Sequence, residues 1–508
     1  MQSSYDYDVV VLGGAVAGAA TAILLRRDAP QLRVLVVEKL EEFDAKVGEA
    51  TTEMSGMFFS RRLAQWHHLE LEQLPKEGLR YWFHNEKVTG HANASETGGF
   101  VRSTVPSFQL RRDALDEHLL ATAVREGAEL RRPARVRDVE LGEFDHTVVI
   151  EQGNETSRIH CRWIVDATGR VSYLGRKLGL MERNDEHPTA SMWARFKNVR
   201  HIDDIAARTP FLSTNVSSRR LGTNHYMGWG HWIWVIPLRN GETSIGVVWD
   251  RRLVDLHEAK DREAAFLAFL KNKAALAELL EGATIRSEDF RYYSNLPYVT
   301  KQYMGNGWAM VGDAAAFLDP YYSPGLDHVG FSVEATVEII KKQTAGEAVD
   351  KMITEHNETF VRSYHRFFKA VYKDKYYYMG EHDLLSASML MDTAFYYTFV
   401  VTPAYRFFKR FHWMPVLGPK EAKYVYGLMC IYNRRLGAIA RARRAAGAEG
   451  RRNYGRRTKA FFNLGFAPTH MALRGIRIWL GAELDLLRLR LLASFRRPAP
   501  VAPVAEAE

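Results

Sequence analysis

The sequence predicts an α/β fold built on a parallel sheet and followed by a largely helical region. Three apolar strands lead into turns of small residues: YDVVVL before Gly13, WIVDATGR at 163–170, and GWAMVGDAAAF at 307–317. A further apolar strand, RVLVVEK at 33–39, follows the first after an amphipathic helix. Strands that alternate with helices form parallel sheets, and ligands bind beyond the carboxyl ends of their strands. The chain of 508 residues is long enough for several structural units around such a sheet.

The first strand and its turn predict a dinucleotide-binding site. Gly13 and Gly14 allow a tight turn, and a helix that begins near Val16 presents N–H groups to a pyrophosphate. Glu38 ends the second strand, where its carboxylate can accept hydrogen bonds from a ribose. The second glycine of the usual fingerprint is replaced by Ala15, so an ordinary turn without a dinucleotide is the alternative. The predicted contacts are Gly13, Gly14, Ala15, Ala17, Gly18 and Glu38.

The order and spacing of these motifs resemble one group of FAD-binding proteins. This group contains the aromatic hydroxylases, the geranylgeranyl reductases and the flavin-dependent halogenases. The resemblance covers about residues 5 to 345 and implies FAD as the cofactor. It also implies that Gly312 and Asp313 reach the ribityl and pyrophosphate part of FAD, and that Arg112 in FQLRRDALDEHLL approaches the cofactor. A surface arginine on an amphipathic helix is the alternative for Arg112.

The resemblance implies a Rossmann-like FAD-binding domain of the glutathione-reductase and aromatic-hydroxylase type. It further implies an inserted β-sheet substrate domain and a C-terminal helical region. The predicted division gives residues 1–85, 105–185 and 295–345 to FAD binding, 86–104 and 186–294 to the substrate sheet, 346–495 to the helical region, and 496–508 to a disordered tail.

A tryptophan-rich strand favours the halogenases within this group. WGHWIWVIPLRNG contains Trp232, Trp234 and Pro237 in the pattern W-x-W-x-I-P, which resembles the halogenase signature. Alternation places both tryptophan rings on one face of a strand, where they can exclude water and wall a passage. A simple core role is the alternative, because geranylgeranyl reductases carry a similar strand.

A loop and a downstream lysine add to the resemblance. VGEAT after the second strand is typical of halogenases and implies flavin contacts by Glu49, Ala50 and Thr51. Lys76 in LPKEGLRYWFHN resembles the essential lysine of halogenases. The resemblance implies that it receives hypohalous acid, either as a chloramine or through a hydrogen bond, and delivers electrophilic halogen to the substrate. A partly desolvated lysine amine loses its proton more easily and becomes nucleophilic. A solvated lysine at a turn is the alternative.

The loop DPYYSPGLD departs from the halogenase pattern. The resemblance implies that this loop faces the flavin, with Gly325 and Leu326 among the cofactor contacts. It also places Ser323, Pro324 and Gly325 where halogenases bind halide through the backbone N–H groups of the last two residues. Proline has no N–H, and this loss corresponds to roughly tenfold to a hundredfold in halide affinity. A shifted site at Gly325 and Leu326, use of bromide, and absence of a halide site are the open alternatives. Tyr322 replaces the catalytic Glu of tryptophan halogenases, which argues against their mechanism.

The resemblance to halogenases implies an FAD-dependent oxidoreductase of secondary metabolism. It would use reduced FAD, oxygen and a halide ion to halogenate an electron-rich aromatic or conjugated substrate, either free or bound to a carrier or lipid. The resemblance implies a separate flavin reductase. The alternatives are a reductase or monooxygenase of the geranylgeranyl reductase type that acts on a lipophilic substrate, and a membrane-associated flavoprotein that only binds a ligand. Lys76 distinguishes halogenase from reductase, because a reductase has no use for it.

Composition predicts the cellular surroundings of this chemistry. Cys161 and Cys430, the two cysteines, form neither a disulfide framework nor a metal cluster, so no metal is predicted and a reducing compartment fits. The N-terminus lacks the pattern of a secretory signal, so a cytoplasmic location is expected.

The positive charge of the chain is concentrated late in the sequence. The net charge is +9, and residues 434–459 hold ten Lys or Arg against one Glu. A basic helix with its rings turned inward explains this region better than base stacking, so no nucleic-acid partner is predicted. The C-terminal segment can pack on the protein or lie on an anionic membrane, so peripheral membrane contact stays open. Its apolar stripe runs through Ile476, Trp479, Leu480 and Leu487.

Overall fold

Two large sheets and a set of C-terminal helices make up the protein in the computed structural model. The described residues are 5–102, 104–210, 212–213, 217–406, 415–462 and 468–495. The predicted disordered tail, 496–508, lies outside them. The α/β class predicted from the sequence is confirmed, including the helical region after the sheets.

The first sheet has eight strands among the described residues, and its centre is parallel. Its core order is β19-β20-β10-β1-β2-β7, with β8 and β9 extending from β10 as an antiparallel hairpin. Val11 of β1 lies opposite Val36 of β2 and Val165 of β10. The strands are β1 Tyr7–Leu12, β2 Val34–Val37, β7 Glu129–Arg131, β8 Arg135–Leu141, β9 His146–Gln152, β10 Glu155–Asp166, β19 Met304–Gly305 and β20 Trp308–Met310.

Both faces of β1 are buried, which explains its unbroken apolar sequence. Val9 and Val11 pack against helix α1 (Val16–Asp28), while Val10 and Leu12 face the core on the other side of the sheet. Parallel strands that are covered on both faces read as continuous apolar runs. The carboxyl ends of β1, β2, β10 and β20 therefore meet at one edge, where the predicted cofactor residues follow them.

The second sheet has nine strands in the described part of the chain. Its main order is β16-β12-β15-β14-β13-β4-β5-β22, and β17 pairs with β12. The strands are β4 Leu79–Phe83, β5 Ser95–Gly99, β12 Thr189–Lys197, β13 Thr223–Gly228, β14 His231–Pro237, β15 Thr243–Asp250, β16 Thr284–Ile285, β17 Arg291–Tyr293 and β22 Arg457–Ala460. Shorter pairings join β3 Leu74–Pro75 to β6 Phe108–Gln109, and β18 Tyr298–Thr300 to β11 Met181–Arg183 and β21 Ala316–Phe317.

The second sheet extends beyond the residues predicted for it. Strand β4 lies before the predicted boundary at residue 86, and β22 comes from the region predicted as helical. Both are short segments, and their pairing partners are distant in sequence. Local periodicity therefore gives no signal of where they pair, because pairing is decided by tertiary packing.

The helices after the first sheet enclose one side of the molecule. Helix α12 packs against α15, and buried Arg443 of α14 pairs with Glu381 and Asp383 at the start of α12. Besides α1, the α-helices of the described residues are α2 Glu53–Met57, α3 Trp66–Glu72, α4 Arg112–Arg125, α5 Tyr173–Lys177, α6 Ile202–Ala207, α7 Arg262–Lys271, α8 Ala274–Leu279, α9 Gly325–Thr344, α10 Asp350–Phe367, α11 Lys375–Tyr378, α12 His382–Tyr396, α13 Thr402–Arg406, α14 Lys423–Ala445 and α15 Pro468–Phe495.

Within the described ranges, one helical stretch is long and apolar enough to cross a membrane by length and composition. It runs from His382 to Arg406, and 78% of its most apolar window is buried inside the protein. A core helix of a folded protein passes the same test, so this stretch is weak evidence for a span.

Candidate active site

A cavity of about 1530 Å³ brings together most of the predicted site residues. Its walls come from the carboxyl ends of the first sheet, one face of the second sheet, the start of α9 and the C-terminal helices. The residues predicted for the site that line it are Gly13, Ala15, Ala17, Glu38, Glu49, Ala50, Thr51, Lys76, Arg112, Trp232, Trp234, Asp313, Ser323, Pro324, Gly325 and Leu326.

The turn after β1 forms one end of the cavity as the glycine pattern predicts. Gly13 has a φ of +98°, and a Cβ there would lie 2.7 Å from the carbonyl oxygen of Ala167. A Cβ on Gly18 would lie 1.8 Å from the carbonyl oxygen of Gly13, so helix and strand pack closely only with glycine at this position. The N–H of Gly14 donates to the Glu38 carboxylate at 2.7 Å. Gly14 and Gly18 thus shape the turn, whereas Gly13 and Glu38 line the cavity.

Gly13→Ala is expected to weaken FAD binding about tenfold, because a left-handed non-glycine residue costs about 1 to 2 kcal/mol before the clash with Ala167 is counted. The measurement is the dissociation constant of FAD by fluorescence titration of the apoprotein. Gly153→Ala is the matched control, since Gly153 also has positive φ (+60°) but nothing within 4 Å of its Cβ position. Equal losses in both variants would contradict a binding role for the turn.

Arg112 lies at the start of α4, beneath the VGEAT loop. The side chain is buried, donates to the Val47 carbonyl oxygen at 3.0 Å and pairs with Asp116 at 3.2 Å. Lys46 also pairs with Asp116, so two cations and one buried acid stand at this part of the cavity. This burial is inconsistent with the surface alternative and leaves Arg112 in place for an anionic cofactor.

Gly312 and Asp313 follow strand β20 on a short 3-10 turn. The N–H of Gly312, which has a φ of +56°, donates to Ser332 Oγ at 2.9 Å. Asp313 lines the cavity, and burial raises its carboxyl pKa. The GD pair thus lies on this short turn, and the long helix α9 begins only at Gly325.

The carboxylate of Glu49 forms an ion pair within the protein. It accepts from Arg195 at 2.9 Å, and Arg195 also pairs with Asp289 at 2.9 Å. Burial raises the Glu49 pKa, and Arg195 opposes that shift. The pair ties the VGEAT loop to strand β12, while Glu49 also faces the cavity. Sequence reasoning missed Arg195, although an arginine inside the apolar strand SMWARFKNV was a signal.

Lys76 is buried beside the VGEAT loop. The side chain is 5% exposed, its Nζ donates to the carbonyl oxygen of Thr51 at 2.6 Å, and it lines the cavity. Burial lowers its pKa to about 8, while Glu53 and Asp327 oppose the shift. The amine is therefore partly deprotonated near neutral pH, as a nucleophilic role requires. Its burial is inconsistent with the alternative of a solvated lysine at a turn.

The loop before α9 faces the cavity in a strained conformation. Tyr322 and Ser323 have φ of +72° and +55°, which costs about 1 to 2 kcal/mol for each non-glycine residue. Pro324, at φ −77°, directly precedes the helix. As the first helical residues, Gly325 and Leu326 have N–H groups without an acceptor inside the helix, at its positive end.

A buried polar cluster from the C-terminal helices holds this loop. Tyr322 Oη donates to Asp392 Oδ2 at 3.0 Å, and Lys375 pairs with the same oxygen at 2.8 Å. Tyr432 bonds to the other oxygen of Asp392. Lys375 is fully buried, and burial lowers its pKa. The sequence signal for this cluster was the lone Asp392 in an apolar helix, but nothing in the sequence indicated its partners.

Asp327 lines the cavity, and its carboxylate is hydrogen-bonded to groups of the protein. This carboxylate accepts from the Ser55 N–H at 3.0 Å and from the hydroxyls of Thr52 and Tyr396. It thus caps helix α2 and connects α9 with the VGEAT loop and α12. Burial raises its pKa to about 6.

Asp327→Asn is expected to stabilise the protein more at pH 7.5 than at pH 5. A carboxyl whose pKa is raised from 3.8 to about 6 binds a proton more readily when folded, so the wild type loses stability as pH rises through that window. Full loss corresponds to about 3 kcal/mol. The measurement is the Tm difference between variant and wild type at both pH values. A difference that is unchanged or smaller at pH 7.5 would contradict the raised pKa.

Trp232 and Trp234 form one wall of the cavity. Both lie on the same face of β14, and their ring centroids are 5.9 Å apart. Trp232 Nε1 donates to Tyr376 Oη at 3.0 Å, and Trp234 Nε1 donates to Ser244 Oγ at 3.1 Å. Their polar atoms are therefore satisfied within the protein, and the rings present apolar surface to the cavity. Pro237 ends the strand.

The described residues lack a candidate metal centre. They contain no group of three or more His, Cys, Asp or Glu side chains that could hold a metal ion.

Known proteins resemble the chain across most of its length. A family model described as FAD binding domain matches residues 6–329. The chain is 28% identical over 447 residues to flavin-dependent halogenase chlA of Dictyostelium discoideum, covering 81% of this chain and 72% of the relative. It is 26% identical over 343 residues to the 1H-pyrrole-2-carbonyl-(peptidyl-carrier protein) chlorinase of Pseudomonas fluorescens, covering 64% of this chain and 73% of the chlorinase. The crystal structure of halogenase PltM in complex with phloroglucinol and FAD has a TM-score of 0.72 at 19% identity, covering 95% of this chain and 98% of PltM.

Proposed function

The chain belongs to the FAD-binding-domain family and, within it, to the flavin-dependent halogenases, and we propose that it halogenates an electron-rich aromatic substrate through Lys76. Its cofactor is FAD. The relatives include an enzyme named for a carrier-bound pyrrole and one crystallised with phloroglucinol, a small phenol. These names support a small aromatic substrate, either free or attached to a carrier.

The residues at the β1 end of the cavity fit FAD. Gly13 permits the tight turn that would bring a pyrophosphate to the start of α1, because a Cβ there would clash with the carbonyl oxygen of Ala167. Glu38 would hold the ribose, and Arg112 and Asp313 would contact the cofactor between the two domains. Reduced FAD supplies, with oxygen, the oxidising equivalents that convert halide into hypohalous acid, and we infer that a separate reductase delivers it.

Lys76 would carry the halogen. The neutral amine attacks hypohalous acid, so that an N–halogen bond forms, the halogen–oxygen bond breaks, and water leaves. The aromatic carbon then takes the halogen as an electrophile, and its ring proton restores the amine. The lowered pKa supports this role, because only the neutral amine has the electron pair for the first step.

The halide would bind at the start of α9. The N–H groups of Gly325 and Leu326 lie at the positive N-terminal end of a 20-residue helix, and this end favours an anion. Pro324 supplies no N–H, so this shifted site has fewer donors than the pattern in other halogenases. A bromide ion is less strongly hydrated than chloride, so we expect the protein to use bromide better than chloride.

The tryptophan wall would keep organic substrate and bulk water apart from the reacting halide. Trp232 and Trp234 are buried and rigidly held by hydrogen bonds. The same cavity is lined by rings of the C-terminal helices, including Phe395 and Tyr396, which suit an aromatic substrate.

The observation that carries this proposal is the buried amine of Lys76 in one cavity with the α9 loop and the predicted cofactor residues. The test supplies FAD-loaded protein with chemically reduced flavin, oxygen and an electron-rich phenol, with bromide, chloride or neither. Halogenated phenol that requires added halide is the expected result. Hydroxylated or unchanged phenol together with rapid flavin reduction by NAD(P)H would contradict it and favour a monooxygenase or reductase.

A further inference from the structure

Helices α14 and α15 carry an exposed apolar surface. On α14, Tyr424, Leu428 and Ile431 are exposed at helical spacing. The exposed residues of α15 form a stripe of the same kind: Leu473, Ile476, Leu480, Leu484 and Leu487. Their exposed fractions range from 39% to 76%. These eight residues are named the α14–α15 surface. Contiguous exposed apolar residues of this number mark an interaction site rather than ordinary surface variation.

The two helices adjoin, so the two stripes belong to one side of the protein. Tyr432 of α14 contacts Trp479 of α15 with ring centroids 6.4 Å apart, and Arg435 pairs with Glu483. The inward faces of both helices pack on α12. The sequence stripe included Trp479, but its ring is half-buried against Tyr432, so the exposed face is made of aliphatic side chains.

Positive charge surrounds this surface. Helix α14 contains six Lys or Arg and no acid, and α15 contains four Arg against two acids. Both acids are occupied: Glu483 pairs with Arg435, and Asp485 pairs with Arg452. The cations that are exposed beside the apolar residues are Lys423, Arg434, Arg477, Arg488 and Arg490.

We propose that the α14–α15 surface docks on an anionic lipid bilayer. A helix face with exposed leucines flanked by arginines lies in the membrane interface, with its apolar side chains in the acyl region and its cations at the anionic headgroups. A second copy of the chain fits less well, because pairing would bring two positive faces together. Nucleic acid also fits less well, because the face lacks rings for base stacking beyond Tyr424.

The α14–α15 surface lies beside the cavity. Val425 and Met429 of α14 line the cavity, while Tyr424 and Leu428 of the same helix belong to the α14–α15 surface. Phe399 lines the cavity as well and is 56% exposed. Docking therefore places one wall of the cavity against the bilayer. Provided that the proposed function holds, the substrate class would be lipophilic aromatics that enter from the membrane.

The test measures binding of the full FAD-loaded chain to sedimenting vesicles. We expect binding to vesicles that contain phosphatidylglycerol to exceed binding to pure phosphatidylcholine vesicles by about tenfold, and to fall with salt. The triple variant Leu480→Ser, Leu484→Ser, Leu487→Ser removes apolar surface without changing charge, and it should lose about tenfold in binding. The matched control is Leu71→Ser, Val124→Ser, Leu178→Ser, which changes exposed apolar residues on other elements and should bind normally.

Several outcomes would overturn the docking proposal. These are no binding to either vesicle, equal loss in both triple variants, and a dimer by light scattering that only the Leu480, Leu484 and Leu487 variant disrupts. Halogenation of a water-soluble phenol is measured in parallel and should be unchanged in both variants. Vesicle binding needs no turnover, so a failure of the proposed function is distinguished from a failure of the docking proposal.

Discussion

Lys76→Ala is expected to lower halogenation of a soluble phenol by roughly a hundredfold to ten-thousandfold, because the variant retains the cavity but loses the amine that carries the halogen. The measurement is initial product formation by mass spectrometry at saturating reduced flavin and bromide. Lys76→Arg is the informative companion: it keeps a cation but stays protonated, so it should be as inactive as the alanine variant. FAD affinity should change little in either variant.

Two results would contradict the role assigned to Lys76. Substantial activity in Lys76→Arg would show that a positive charge or a donated hydrogen bond suffices. Equal activity in wild type and Lys76→Ala would show that free hypohalous acid does the halogenation. A control variant, Lys301→Ala, changes an exposed lysine outside the cavity and should retain wild-type activity.

The pH dependence of the reaction distinguishes a role of the neutral Lys76 amine from a role of its protonated form. With a pKa of about 8, the neutral fraction of Lys76 rises about tenfold per pH unit below that value and levels off above it. The Lys76-dependent rate should therefore rise from pH 6 to about 8 and then level off. The measurement is the difference in initial rate between wild type and Lys76→Ala across this range. A difference that falls above pH 8 would instead indicate hydrogen-bond donation by the ammonium group.

Pro324→Ala is expected to raise chloride affinity by roughly tenfold to a hundredfold, because it restores an N–H donor beside those of Gly325 and Leu326. The φ of −77° at this position is also accessible to alanine, so the loop can keep its conformation. The measurement is the chloride concentration for half-maximal chlorination.

The control for this prediction is Pro320→Ala, which changes a proline of the same loop before the strained residues and should leave the chloride requirement unchanged. An unchanged requirement in Pro324→Ala would mean that the halide does not contact this turn. A loss of both chlorination and bromination would mean instead that the proline is needed to hold Tyr322 and Ser323 in their left-handed conformation.

The parts of the site that the residues predict without the family resemblance are those with local backbone requirements. Gly13 and Gly18 are needed for a tight turn and a close helix contact, and both requirements appear in the structure. Alternation along β14 correctly placed Trp232 and Trp234 on one face. Such features depend on neighbouring residues, so a short window of sequence contains the signal.

The parts that sequence missed depend on contacts between distant elements. The Arg195 pair with Glu49 joins residues 146 positions apart, and the Lys375 and Asp392 pair reaches the loop at Tyr322 from the C-terminal helices. Asp327 likewise bonds to Ser55 on α2 and to Tyr396 on α12, both far from it in sequence. Partner choice over such separations is set by tertiary packing, which no local pattern encodes.

The most direct test of the account is delayed transfer of the halogen. FAD-loaded protein reacts once with reduced flavin, oxygen and bromide without an organic substrate, is freed of small molecules by rapid desalting, and then meets the phenol. Brominated phenol is expected from the wild type and none from Lys76→Ala, because the halogen stays on the buried amine. Bromination only when the phenol is present during turnover, and to the same extent in both proteins, would contradict it.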